Sequence, residues 1–156
     1  MITRILYTDI WVDDFFFTLS SEEKLLFIYF LTNERVNIIH LYQIHDKRIE
    51  ADTGINTPII RKAKVKFEKA GKIYFKDNFV FLKNASRFEK YEGEKNEIAK
   101  EKLFARLSKQ TIDWYNNIND TPIHTPTMIP SINHKSYTIR KRKKLTENVD
   151  PNSVPF

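Results

Sequence analysis

The sequence predicts an α+β fold: a winged helix-turn-helix with a C-terminal helical extension and a disordered basic tail. Three observations carry that prediction. A capped, basic helix (TPIIRKAKVKFEKA, 57–70) runs into Gly71, and a tight hairpin over 72–83 follows at once. A short helix ending in Asp52-Thr53-Gly54 precedes it, so the order is helix, glycine-containing turn, helix. The positive charge is also segregated: residues 57–83 hold eight Lys and Arg against two Asp and Glu, whereas residues 1–56 hold five against nine.

The chain's 156 residues, 41% of them hydrophobic and 13% aromatic, suffice for one cored domain with appendages. The boundaries read as a DNA-binding domain over 1–90, the helical extension over 91–119 and a flexible Pro/Ser/Thr-rich basic tail over 120–156. With no cysteine, disulfides, cysteine nucleophiles and thiolate metal sites are excluded. Asp9, Asp13 and Asp14 interrupt the N-terminal apolar stretch, so no signal peptide is read there. The longest apolar run, Leu25 to Leu31, falls far short of the roughly 20 residues that span a bilayer. A soluble, non-exported protein with no membrane partner is expected.

The elements follow in order. Residues 1–18 mix aromatics with Asp, and Tyr7, Ile10, Trp11, Phe15 and Phe16 fit either a short strand or a helical turn. Ser20 with Glu23 three residues on is a capping box, and the apolar LLFIYFL after it marks a largely buried helix that Thr32-Asn33 can end. Val36 to Ile44 (VNIIHLYQI) is β-branched and apolar, and reads as a strand. His40 and His45 lack partners at metal-ligand spacing, so a packing or surface role is expected for them. A short helix over 45–53 stops at Gly54. Thr57 reads as the N-cap of the next helix and Pro58 as its first residue.

In that helix Ile59/Ile60, Ala63, Phe67 and Ala70 form the buried stripe, and Arg61, Lys62, Lys64, Lys66 and Lys69 fill much of the rest. Val65 lies among the cations, placed to touch a thymine methyl or the neighbouring wing. Gly71 suits a left-handed C-terminal position. Strands over 72–76 and 79–83 are joined by Asp77-Asn78, both tolerant of positive φ. Residues 94–118 read as helix, in one piece or two, with Leu103, Leu107, Thr111, Trp114 and Ile118 on one face. That face either packs back on the domain or meets a partner. The tail's TPIHTPTMIPSINHKSYT is linker-like and precedes a cationic cluster.

A segregated basic patch is the footprint of a polyanion partner, against the blander reading of a solvated helix face. The candidate DNA-contact residues are Thr57, Arg61, Lys62, Lys64, Val65, Lys66 and Lys69 on the helix. Lys72 and Lys76, with Lys83, are placed for phosphates on the wing, and Arg140, Lys141, Arg142, Lys143 and Lys144 form a basic arm. No phosphate-cradling glycine loop, metal-ligand cluster or nucleophile–base set is recognisable, so neither catalysis nor a cofactor is predicted.

The segments ILYTDIW, LSSEEKLLFIYFLTN, RIEADTGI and IRKAKVKFEKAGKIYFKDNFVFLKN carry a family likeness. Over roughly residues 4–90, with a helical continuation to about Ile118, the chain resembles the N-terminal winged-helix domain of phage and prophage replication proteins, the replisome-organiser and DnaD-like group. The resemblance implies binding of origin or phage DNA, most simply duplex, and a role in initiating or organising replication. The expected partners are helicase, helicase loader or single-stranded-DNA-binding protein, with a homodimer if the aromatic face of 94–118 meets a second copy, and the expected place is the cytoplasm of a bacterial host cell. Longer members carry a C-terminal domain that engages DNA and helps recruit the helicase; residues 120–156 do not read as one. Two positions depart from the pattern: Lys64, where relatives more often carry an apolar residue, and Asn78, where many carry glycine. A transcriptional regulator of phage genes and a protein-interaction module of the replisome are the rival readings.

Overall fold

A computed structural model describes residues 3–89 and 91–119. The tail, with the predicted cluster Arg140 to Lys144, lies outside them. The described residues form an α+β body of six α-helices and a three-stranded antiparallel sheet of order β1-β3-β2.

The N-terminal stretch is helical rather than extended. A 3-10 turn over Thr8–Val12 leads into α1 (Asp14–Phe17), whose first turn is capped by Asp13 accepting from the Phe16 N–H at 2.9 Å. In α2 (Ser21–Thr32) the capping box forms: Ser20 accepts from the Glu23 N–H, and Glu23 accepts from the Ser20 N–H at 2.9 Å. Asn33 ends that helix. Its amide donates to Tyr29 O and to the Tyr42 hydroxyl, both at 2.9 Å, and Tyr42 donates in turn to Phe30 O at 2.7 Å.

The strand expected over 36–44 shrinks to β1 (Leu41–Gln43). Residues before it form a turn bracketed by Asn37, whose side chain accepts from the Ile39 N–H and donates to Leu41 O. His40 takes φ 53 there. Val36 and Ile39 are buried as turn residues, so the apolar run records burial rather than strand.

Helix α3 (Asp46–Thr53) ends at Gly54 with φ 73, and α4 (Thr57–Lys69) begins three residues on. The cap of α4 corrects the sequence reading: Asn56 accepts from the Ile59 N–H at 3.2 Å, and Thr57 is the first helical residue, with Pro58 second. Thr57 does not cap because its hydroxyl donates to Glu50 of α3 at 2.8 Å. At the other end Gly71 takes φ 67. Its N–H reaches Glu68 O at 2.9 Å and that of Lys72 reaches Phe67 O at 3.1 Å, a Schellman closure.

Because that closure uses Lys72, the hairpin is shorter than expected: β2 is Tyr74–Lys76 and β3 is Phe79–Phe81. Lys76 pairs with Phe79 across Asp77-Asn78, and only Asp77 of these two takes positive φ. Alternation gives the sheet two faces. Tyr42, Phe75 and Val80 join a core with Leu26, Phe27 and Phe30 of α2, Ile49 of α3, and Ile60, Ala63 and Phe67 of α4. Phe67 is its hub, with ring centroids 5.3 Å from Phe27, 6.1 Å from Phe15 and 6.3 Å from Phe30.

Leu41 and Phe81 face the other way, onto α5 (Glu94–Phe104) and α6 (Lys109–Ile118). Residues 105–108 break the predicted helix in two, and Ser108 caps α6 through the Thr111 N–H at 3.2 Å. Phe104 and Tyr115 are buried against Phe81, with Leu103, Leu107, Trp114 and Ile118 packed alongside. The apolar face of 94–118 thus covers the sheet. Among the described residues no helix is long and apolar enough to cross a membrane.

Candidate nucleic-acid interface

Successive residues of a helix step about 100° around its axis, so the buried stripe of α4 defines its outward face. Ile60, Ala63 and Phe67 point into the core. Pro58, Lys62, Val65 and Lys69 fall opposite them, and all four are exposed. Arg61 flanks this ridge with its side chain 73% exposed, and Val65 stands 52% exposed among the cations. The side chains of Lys62 and Lys69 form no hydrogen bond or ion pair with a described residue, although Lys62 lies close enough to Glu23 to lower its pKa. Glu68, also exposed, is the acid on this side of the helix.

The remaining predicted cations turn toward the body. Lys64 is the clearest correction. Its side chain is 13% exposed, its ammonium pairs with Asp46 at the start of α3, and it lies 5.2 Å from the centre of the Phe75 ring. It therefore clamps α3, α4 and the hairpin together rather than facing outward. Position 64 lies on the inner flank of α4. Lys66 donates to Glu23 of α2 at 2.6 Å, and Lys72 to Asp13 at 3.0 Å while resting over the Phe15 ring. Arg61 shares Asp46 with Lys64 at 3.3 Å. Lys76 donates to Gln110 O at 3.2 Å, tying the hairpin to α6. Thr57 is half-buried with its hydroxyl committed to Glu50. Lys83, just past β3, is half-buried.

The carboxylates register these contacts. Burial pushes each of them up, yet each ends below its ordinary value. For Asp46 the Lys64 hydrogen bond and charge, with Arg61, reverse the effect of burial. For Glu23 the Lys66 hydrogen bond and the Ser20 N–H do so, and for Asp13 the Phe16 N–H and Lys72. These acids come from the segment that counts as net negative in the sequence. Local spacing gives no sign of the pairing, because Asp46 lies 18 residues from Lys64, Glu23 lies 43 from Lys66 and Asp13 lies 59 from Lys72.

The structure thus brings Arg61, Lys62, Val65 and Lys69 together on one outward ridge and withdraws Lys64, Lys66 and Lys72 to its margins. Of the two histidines among the described residues, His40 is buried and His45 exposed. Among the described residues no group of three His, Asp or Glu side chains is placed to hold a metal ion. No family model matches the chain, and neither a curated protein nor a solved structure does.

Proposed function

We propose that this chain is a phage-type DNA-binding protein with a winged helix-turn-helix fold that acts in initiating or organising DNA replication. The observation that carries the proposal is the exposed Arg61–Lys62–Val65–Lys69 ridge on α4, the second helix of a pair joined by a short glycine turn and followed by a hairpin. The order helix, strand, helix, turn, helix, hairpin is that of a winged helix. The replication role rests on the resemblance to phage replication proteins.

In this reading α4 enters the major groove. Lys62 and Lys69 meet phosphates, which position the protein without reading sequence. Val65 offers a methyl surface to a thymine. Arg61 is exposed enough to exchange Asp46 for a phosphate or a guanine edge.

Fluorescence anisotropy with a labelled duplex tests the proposal. Lys62→Ala/Lys69→Ala should weaken binding at least about tenfold at low salt, while circular dichroism stays that of the parent. Equal affinity in parent and variant would exclude α4 as the interface. Binding that is tight at one promoter, with no effect on replication in an infected host, would favour the regulator reading instead.

A specific observation favours a partner contact as well. Ile5, Trp11, Val12 and Phe17 near the N-terminus are each at least 59% exposed, the apolar display expected of a protein contact. Co-sedimentation with a replicative helicase, a helicase loader, a single-stranded-DNA-binding protein or a second copy of the chain tests which of these it meets.

A further inference from the structure

Helix α5 sorts its charges. At about 100° per residue, Lys95 and Lys102 fall on one side of the axis with Ala99 between them, while Glu94, Glu97 and Glu101 fall roughly a third of a turn away. Lys102 borders a cavity of about 660 Å³ between α5 and the segment that follows α2. That volume lies within the usual range for ligand sites. Its floor is aliphatic, made by Val36 and Ile38 from the turn before β1 and by Ala99 and Leu103 from α5. Val36 is buried, and Ile38 and Leu103 pack on the sheet's second cluster, so the floor is fixed.

The rim of this cavity is cationic. Lys102 and Arg106 both line it and both are exposed, and neither side chain forms a hydrogen bond or ion pair with a described residue. Glu34 is the acid of the lining. It lies 4.0 Å from Arg35 and 3.6 Å from Arg48, so its charge is already matched. Arg4, deeper in, is held by Glu89. Lys102 and Arg106 are thus left uncompensated at the mouth. Cations near the C-terminal end of a helix suit its dipole, which accounts for their sign but not for the aliphatic hollow beside them.

We propose that this hollow docks an acidic peptide segment of a partner protein. A large apolar side chain of the segment enters over Val36, Ile38 and Leu103, and flanking Asp or Glu carboxylates pair with Lys102 and Arg106. Charge complementarity sets the sign of the partner, and the floor sets its class. A nucleic-acid strand would offer the hollow a base, and bases stack on aromatic faces, whereas this floor is aliphatic and Tyr91 beside it is tethered through its hydroxyl to Arg4 and Glu89. The proposal is independent of the nucleic-acid reading, because no residue of the lining comes from α4.

Methyl proton–carbon correlation NMR of the full chain at low salt tests it, following Val36, Ile38 and Leu103 while a blocked Asp-Glu-Phe-Glu-Asp peptide is titrated. A saturable shift of these methyls supports the proposal, and its absence overturns it. The same peptide with Gly in place of Phe should bind at least about fivefold more weakly. Equal binding would mean that charge alone attracts the peptide and that the hollow seats nothing. Lys102→Glu/Arg106→Glu should weaken binding about tenfold. Both side chains are exposed and unpaired, so the variant should keep the parent's methyl spectrum, and unchanged affinity in it contradicts the assignment. Lys62→Ala/Lys69→Ala should bind the peptide as the parent does, and a comparable loss there would place the peptide on α4 instead. An oligothymidylate that saturates the same methyls more tightly than the peptide would assign the hollow to nucleic acid and overturn the proposal.

Discussion

The outward ridge of α4 and its two flanks carry the same residue type and do different work. Lys62 and Lys69 stand in solvent, while Lys64 and Lys66 are tied to carboxylates of α3 and α2. A count of charge along the sequence treats these lysines alike. The fold separates them: the flanking cations fasten neighbouring elements onto α4, and the ridge lysines stand outward without such pairs, with Arg61 at the edge. The candidate interface is therefore smaller than the basic segment that announces it.

The flanks depend on the aromatic core beneath them, so the largest effect belongs there. Phe67→Ala should destabilise the protein by about 3–5 kcal/mol, because Phe67 is fully buried amid Phe15, Phe27 and Phe30. Urea denaturation measures it, and a loss under about 1 kcal/mol would show that the core does not centre on this ring. Lys64→Ala comes next. It leaves Asp46 with Arg61 alone and uncovers Phe75, for an expected loss of about 1–3 kcal/mol. A stability unchanged by this substitution, together with weakened DNA binding, would move Lys64 to the ridge and break the contrast.

Acid provides a third, smaller lever. The carboxyls of Asp13, Glu23 and Asp46 are held below their ordinary values in the folded state. Their contribution to stability is complete above the unfolded carboxylate values of about 4 and is lost as pH falls through the lower folded ones. The urea midpoint should thus change little from pH 7 to about 5 and drop below about 4, with a shallower drop in Asp46→Asn. A midpoint that rises on acidification would mean the flanking pairs are not formed in solution. The ridge substitutions should be the mildest: Lys62→Ala and Lys69→Ala each lie within about 0.5 kcal/mol of the parent in stability.

What the sequence discloses depends on how far apart the determining residues lie. The capping box at Ser20 and Glu23, the turn at Gly54 and the closure at Gly71 are local, and each forms where its residue types predict. The cap of α4 fails by one residue because Asn56 and Thr57 are comparable caps in isolation. The choice is made by Glu50, seven residues upstream, which takes the Thr57 hydroxyl. The strand over 36–44 is overdrawn because a buried turn and a buried strand share an apolar composition, and only the Asn37 side-chain bonds distinguish them. Within the candidate interface, helical periodicity alone places Lys62, Val65 and Lys69 outward. The burial of Lys64 and the tethering of Lys66 and Lys72 depend on acids remote in sequence, which no spacing rule reveals.

The slope of log affinity against log salt for a DNA duplex tests the central claim most directly, because each phosphate neutralised contributes about 0.9 to it. Measured for the parent, Lys62→Ala/Lys69→Ala and Lys64→Ala, it should fall by close to two for the ridge pair and stay unchanged for Lys64→Ala. A slope unaltered by the ridge pair, or reduced as much by Lys64→Ala, would contradict the separation of ridge from flank on which the account rests.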